Sequence, residues 1–418
     1  MIAAYGGRQP SMSSVFTKIE EPAPPPGQVP RWALWQLGFR PFYLLAGAFA
    51  AIAVPLWTLQ FAGWLPRPYL AGALWHAHEM LFGYALAVVV GFLFTAGRNW
   101  SGRPTPSGAL LAALALLWVA GRVLMLTPFG WAAALVNPAF PLAAAAGLGR
   151  ALVGGRNRRN YFFVGLLVLL ALAQLGVHLA HLGVLGTAGW REGWPSGWLS
   201  MRLGLDLLLI IMAVMSGRVI PMFTNHGVPG ANARRHPLLE WFALGGLCVL
   251  AAADALALQG VAFAMLLGLC AAAHLLRLVL WQPWRTLRTP LVWVLHAAYL
   301  WIVVHLSLRA AAELGGVAAS IAVHALTVGA VGGLTLGMMT RTARGHTARP
   351  LRADAFDSAC YLGVHAAALL RVALPLAVPA ATPAAILASA VFWSAAFALF
   401  TWRYWPVLTR ARLDGKPG

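Results

Sequence analysis

Residues 160–184 read NYFFVGLLVLLALAQLGVHLAHLGV, 25 residues without a formal charge. As a helix rising 1.5 Å per residue, such a run is ~37 Å long, enough to cross the ~30 Å hydrocarbon core of a bilayer. In lipid the backbone must satisfy its own hydrogen bonds, so the run is helical. Comparable apolar runs fall at 39–63, 75–97, 107–126, 130–150, 160–184, 197–217, 237–258, 260–282, 290–311, 315–341, 355–378 and 384–406. Breakers such as Gly102-Arg103-Pro104, Gly154-Gly155 and Gln282-Pro283 separate them. The expected fold class is an all-α polytopic membrane protein of about 12 transmembrane helices. Composition agrees, with 60% hydrophobic and 10% charged residues, where a soluble domain carries roughly 25% charged.

The net charge of +19 raises the question of nucleic acid. The basic residues form no single patch, so no nucleic-acid partner is expected. They sit instead in alternate loops: Arg98 and Arg103 after span 2, Arg150, Arg156, Arg158 and Arg159 after span 4, and Arg218, Arg234 and Arg235 after span 6. Arg285 and Arg288 follow span 8, Arg341, Arg344, Arg349 and Arg352 follow span 10, and Arg403, Arg410, Arg412 and Lys416 close the chain. The odd-numbered loops hold little beyond Arg67 and an Arg191-Glu192 pair, and Arg122, Arg309 and Arg371 lie within the outer ends of spans 3, 9 and 11. The positive-inside rule then places both termini in the cytoplasm of a multi-pass inner-membrane protein in contact with lipid.

The domain reading is a flexible cytoplasmic tail over 1–36, carrying Pro22-Ala23-Pro24-Pro25-Pro26-Gly27, one helical membrane domain over 37–408, and a cytoplasmic tail over 409–418. The first 30 residues lack the apolar core of a cleavable signal peptide. The longest ordered loop expected is 218–236. Cys248, Cys270 and Cys360 form no metal or haem motif and read as small apolar residues. Trp32, Trp35, Trp64, Trp75, Trp100, Trp190, Trp194, Trp281 and Trp284 fall near span ends, as an interfacial aromatic belt would.

Membrane helices normally exclude histidine, and this chain has 12. The orientation gives each a depth. His76 and His78 of span 2, His178 and His181 of span 5, His305 of span 9 and His324 of span 10 fall in one outer layer. Imidazoles at one depth suit copper, zinc or iron. His178 and His181 share a helix face. His76 and His78, two residues apart, point to opposite sides of a regular helix and share a site only if the backbone there is irregular. Glu79 is placed to relay protons or to hydrogen-bond a metal-bound imidazole. Asp206 reads as part of a proton path or as the partner of Arg202, and Arg309 has Glu313 one turn on. Met222, Met338 and Met339 read as core lining rather than copper ligands. The glycines Gly329, Gly333 and Gly337 allow close helix packing, or a smooth face for a flat macrocycle.

Several strings are distinctive: Gly38-Phe39-Arg40-Pro41-Phe42, then Trp75-His76-Ala77-His78-Glu79-Met80, then Arg218-Val219-Ile220-Pro221-Met222-Phe223-Thr224-Asn225, then His296-Ala297-Ala298-Tyr299. The run HALTVGAVGGLTLGMMTRTARGHTAR over 324–349 completes the set. Together they resemble the NnrS family of bacterial membrane proteins over residues 37 to 350, more weakly beyond. The resemblance implies a haem- and copper-containing protein of the nitric-oxide response. The expected cofactors are haem b and copper. The ligand is nitric oxide, with quinol as the electron donor. His76, His78, His324 and His346 match the family strings as metal ligands. His178, His181 and His305 join them on the depth argument alone. Arg40, His76, His78, His305 and His324 are the cofactor-binding candidates and Glu79 the catalytic one. Reduction of nitric oxide is one expected activity. Non-catalytic nitric-oxide binding or metal homeostasis is a second, and transport by twelve spans a third.

Overall fold

The computed structural model describes residues 32–64, 69–70, 72–185 and 197–416. Its helices are α1 (Phe39–Phe61), α2 (Gly72–Ser101), α3 (Gly108–Leu124), α4 (Gly130–Gly154), α5 (Phe162–His181) and α6 (Trp198–Gly227). They continue as α7 (Pro237–Ala255), α8 (Val261–Leu280), α9 (Pro290–Glu313), α10 (Ala319–His346), α11 (Ala355–Ala377) and α12 (Thr382–Thr409). Each coincides with one expected span. Eleven are long and apolar enough to cross a membrane, while α3 has 17 residues and is shorter. Residues 1–31, Arg67, Trp190, Arg191, Glu192 and Trp194 lie outside the described residues.

Helices α2 and α10 are innermost, 83% and 72% buried over their apolar windows, whereas α7 is 28% buried and faces outward. Each inner helix widens into π-helical turns, over Glu79–Ala85 in α2 and Ala325–Gly332 in α10. Such turns misalign the backbone ladder and commonly mark functional sites. Here side chains take up the displaced groups. The Trp118 indole donates to the Gly83 carbonyl at 3.0 Å. The Thr335 hydroxyl lies 2.6 Å from the Val331 carbonyl and 3.0 Å from that of Gly332. A hydrogen bond between Tyr84 and Thr335 ties the two widened segments together.

The glycine stripe on α10 packs tightly on α9. A Cβ on Gly329 would overlap the Trp301 ring, and one on Gly333 would lie 2.6 Å from the Ala298 Cβ. At Gly337 it would meet Leu295 at 2.8 Å. The stripe is filled by helix α9, which leaves no smooth face there for a macrocycle.

Helix α6 runs to Gly227, so the expected 218–236 loop is helical over its first half. Arg218 does not end the helix because its guanidinium lies over the rings of Trp100, Phe162 and Phe163 and donates to Asn160 Oδ1 at 2.6 Å. Two tryptophans assigned to the belt belong to the core. Trp75 is 1% exposed and Trp281 0%, the latter packed between Arg277 and Tyr299. Cys270 and Cys360 are buried, but Cys248 is exposed on the flank of α7.

The chain ends meet. Ala33 donates its N–H to the Thr409 carbonyl at 2.8 Å, so residues 32–36, read as tail, are docked on the end of α12. Arg40 donates to the Leu408 and Arg410 carbonyls at 3.1 and 2.7 Å. This caps the C-terminus of α12, where unpaired carbonyls and the helix dipole favour a cation. Arg40 is thereby engaged with backbone rather than turned toward any of the outer-layer histidines.

Candidate functional site

The helix carrying His76 and His78 is regular over Gly72–His78, so the two imidazoles diverge. His78 turns toward α3, α4 and α5. Its Nδ1 lies 2.8 Å from Glu79 Oε1. Arg122 of α3 donates from Nη1 to that same oxygen at 2.7 Å. An oxygen accepting from a guanidinium carries no hydrogen of its own, so Nδ1 of His78 carries the proton and Nε2 keeps its lone pair. Gln174 Nε2 of α5, 3.3 Å from Nε2, is placed to donate to it. Arg122 Nη2 donates to Asn137 Oδ1 of α4, and Gln174 Nε2 also lies 3.5 Å from that oxygen. Arg122, Glu79, His78, Gln174 and Asn137 thus form a closed hydrogen-bonded circuit across four helices.

His178 stands beside this circuit, its ring centroid 4.9 Å from that of His78 at 71°. Its Nδ1 is 3.0 Å from the Tyr69 hydroxyl. Burial pushes the Tyr69 phenol up to about 12, so it stays protonated at neutral pH. His181 meets the edge of the same Tyr69 ring at 5.0 Å and is exposed. Several buried atoms here have no partner among the described residues: His178 Nε2, Glu79 Oε2 and Gln174 Oε1. Such atoms are costly unless something binds them.

His76 faces the other way. Its ring lies 4.7 Å from that of Trp57 on α1, and its buried Nδ1 has no partner. His324 of α10 donates Nδ1–H to the Ser320 carbonyl at 2.6 Å, leaving Nε2 as its second nitrogen. His324, His76 and Arg371 of α11 lie within electrostatic range of one another.

The remaining candidates are elsewhere. His305 donates to the Ala322 carbonyl at 2.7 Å and bridges α9 to α10. His346 packs its ring 5.7 Å from Phe39 at the opposite end of the molecule. The inner histidines do not gather with it. His274 Nε2 donates to the Ala243 carbonyl at 3.2 Å, while Tyr299 and Arg277 occupy its other side. His296 is held by the Val292 carbonyl at 3.1 Å, and His365 accepts from the Trp301 indole at 3.3 Å. The six outer-layer histidines therefore divide into a His78–His178 pair with His181 at its rim, a His76–His324 side, and His305 alone. Among the described residues no three His, Cys, Asp or Glu side chains form a ready metal cage.

Asp206 is bound otherwise than to Arg202. Arg309 donates to Asp206 at 3.4 Å and to Asp254, while Arg202 reaches Asp254 at 3.4 Å. Glu313, one turn beyond Arg309, accepts instead from the Gly260 N–H at 3.0 Å.

The donors at the His78–His178 pair fit a copper ion. Each imidazole has Nδ1 tied to an oxygen partner, which is how metal-bound histidines are usually oriented. Imidazole is a good copper donor, and Glu79 Oε2 and Gln174 Oε1 add unpartnered oxygens beside it. For a haem, the His76 imidazole, whose buried Nδ1 has no partner among the described residues, would be a nitrogen donor, with the cation of Arg371 in the same region.

Sequence reading missed Tyr69, Arg122, Asn137 and Gln174 as site residues. The last three stood out as polar side chains within apolar runs, and Tyr69 carried no signal. In comparison with known proteins, the family model described as NnrS protein matches residues 33–412. No curated protein matches the chain.

Proposed function

The chain belongs to the NnrS family, a membrane protein of the nitric-oxide response, and from that premise we propose that it reduces or detoxifies nitric oxide at metals held on the two faces of α2. The observation that carries this reading is the His78 imidazole, bonded to Glu79 through Nδ1 so that Nε2 keeps its lone pair, with its ring centroid 4.9 Å from that of His178. His78 and His178 would hold copper. His76 or His324 would hold a haem. When bound, such metals would supply redox chemistry toward nitric oxide, with a membrane reductant such as quinol as the electron source.

Joining two nitric oxide molecules into nitrous oxide and water takes two electrons and two protons. The protein's own part is proton supply and exclusion of water. Glu79 Oε1 is committed to Arg122 and His78, so Oε2, buried and unpartnered, is the atom that would hold a proton for delivery. Tyr69 and the exposed His181 connect this region to the surface at the same end. A transport role is less favoured, because Asp206 and His274, which it would use, are held in ion-pair and hydrogen-bond networks.

The test is metal analysis and an optical spectrum of purified protein, with nitrous oxide measured after adding nitric oxide under reducing conditions. His78→Ala and His178→Ala should lose copper and keep haem, whereas His76→Ala and His324→Ala should perturb haem first. Unchanged metal in all four variants would overturn the site. Haem and copper present without nitrous oxide would leave the non-catalytic, nitric-oxide-binding reading.

A further inference from the structure

We infer that Arg122 is the positioning residue of the site, setting through Glu79 which ring nitrogen of His78 keeps the lone pair that can ligate. The metal part of this inference rests on the site assignment proposed above. Arg122 has no acidic neighbour on its own helix to explain its presence in the apolar run GALLAALALLWVAGRVL. Its guanidinium is used as a fork, Nη1 on Glu79 of α2 and Nη2 on Asn137 of α4. The rigid planar fork fixes the positions of two acceptors at once, as a lysine cannot.

The circuit then passes its direction on. Glu79, held by Arg122, accepts only, so His78 must donate from Nδ1. Asn137, held by Arg122, accepts, so Gln174 presents its N–H groups to Asn137 and His78. Asn137 completes its own bonding by donating Nδ2–H to the Ala133 carbonyl at 2.9 Å. Neutralising Glu79 would need a positive charge anywhere nearby. Setting the direction of the whole circuit needs both arms of the fork.

The fold makes room for this fork. Gly83, in the widened turn of α2, faces it, and a Cβ there would lie 2.6 Å from Arg122 Nη1 and 2.7 Å from the Phe49 ring. On α3, a Cβ at Gly121 would lie 2.9 Å from Asn137 Oδ1. Gly83→Ala therefore displaces the fork without altering any charged group, which supplies a second variant independent of Arg122 itself.

The experiment titrates copper(II) alone into metal-free, full-length protein in detergent and follows affinity and the electron paramagnetic spectrum. Nitrogen-15 spectra of histidine-labelled metal-free protein, assigned by difference against His78→Gln, report the His78 tautomer. Loss of an orienting outer partner commonly weakens metal binding ~10–100-fold. Arg122→Gln, Arg122→Lys and Gly83→Ala should each fall in that range, alter the copper spectrum and mix the tautomer. Arg122→Lys, which retains the charge, should lose less heat stability than Arg122→Gln. An Arg122→Lys protein matching wild type in affinity, spectrum and tautomer would overturn the inference, since charge alone would then suffice. Affinity lost only in step with heat stability would overturn it too, as a purely structural role. Wild-type protein that takes up no copper would sink the site assignment instead, and the tautomer would still decide the role of Arg122.

Discussion

A histidine within a membrane helix has two ring nitrogens to satisfy, and their partners separate the roles that depth alone groups together. His305, His324 and His296 each give Nδ1 to a backbone carbonyl, as their places on the helices dictate. His78 and His178 instead meet side-chain oxygens of Glu79 and Tyr69. The same logic governs charge. Arg309 holds Asp206 at 3.4 Å and also binds Asp254, and all three are buried. Arg309→Ala would take a guanidinium from two buried carboxylates, leaving Asp254 with Arg202, and the break in such a buried network costs about 3–5 kcal/mol. We expect a marked fall in unfolding temperature in detergent, partly recovered in Arg309→Lys, with copper and haem content unchanged in whatever protein remains folded. The sequence made these charged residues visible as exceptions in apolar runs, but not their pairing. Arg202 and Asp206 are four apart on one helix, and Arg309 and Glu313 likewise. Arg202, Asp206 and Arg309 find partners on other helices, and Glu313 accepts from the Gly260 N–H.

At the scale of elements, period and length alone located every helix, since a bilayer forces each apolar run to close its own hydrogen bonds. The π-helical turns left no such mark. Trp118 of α3 satisfies the Gly83 carbonyl from another helix, while Thr335 satisfies the Val331 carbonyl from within α10. The stripe Gly329, Gly333 and Gly337 was legible as small-residue spacing, and α9 supplies its occupant. Gly329→Leu should push the Trp301 ring aside and destabilise the α9–α10 contact by about 1–3 kcal/mol. Gly345→Ala, whose Cβ would meet Leu351 at an ordinary 3.6 Å, should behave as wild type in the same thermal assay. Helix α11 begins with a capping box, Asp354 accepting from the Asp357 N–H at 3.0 Å and Asp357 accepting from that of Asp354 at 3.2 Å. Burial opposes ionisation of Asp354, but the Asp357 N–H and the Arg403 and Arg344 guanidiniums win and hold its carboxyl below the usual aspartate range. A depressed carboxyl adds stability above its unfolded value, ~3.9, and loses it as pH falls through the lower folded value. Wild type should therefore exceed Asp354→Asn in unfolding temperature at pH 6, and the gap should close toward pH 3. A gap independent of pH would show that the cap acts only through shape.

For the whole molecule, the alternation of arginines between loops has a structural counterpart at one end of the bundle. Arg103 donates to the Gly154 carbonyl, Arg285 to that of Gly230, and the Arg234 N–H to that of Leu280. The Leu413 N–H reaches the Thr347 carbonyl, and the Gly108 N–H that of Trp35. The even-numbered loops and the described chain ends thus form one connected surface, and it carries most of the arginines. Tyr69, His181 and the Glu313–Gly260 contact lie at the opposite end. Parity fixes that the two surfaces are opposed, and charge predicts which faces the cytoplasm. A folded reporter that matures only in the cytoplasm, fused after Gly418, should fluoresce. An exported phosphatase fused in the turn at Thr127 should be active, and the same enzyme fused in the loop at Asn157 should be silent. The opposite pattern would turn the molecule over and move the His78–His178 pair to the cytoplasmic half, leaving its internal geometry untouched. Replacing Arg156, Arg158 and Arg159 with Gln separates cause from coincidence. If loop arginines set the orientation, these changes should raise the share of phosphatase activity at Asn157, because a loop without them is held less firmly on the cytoplasmic side.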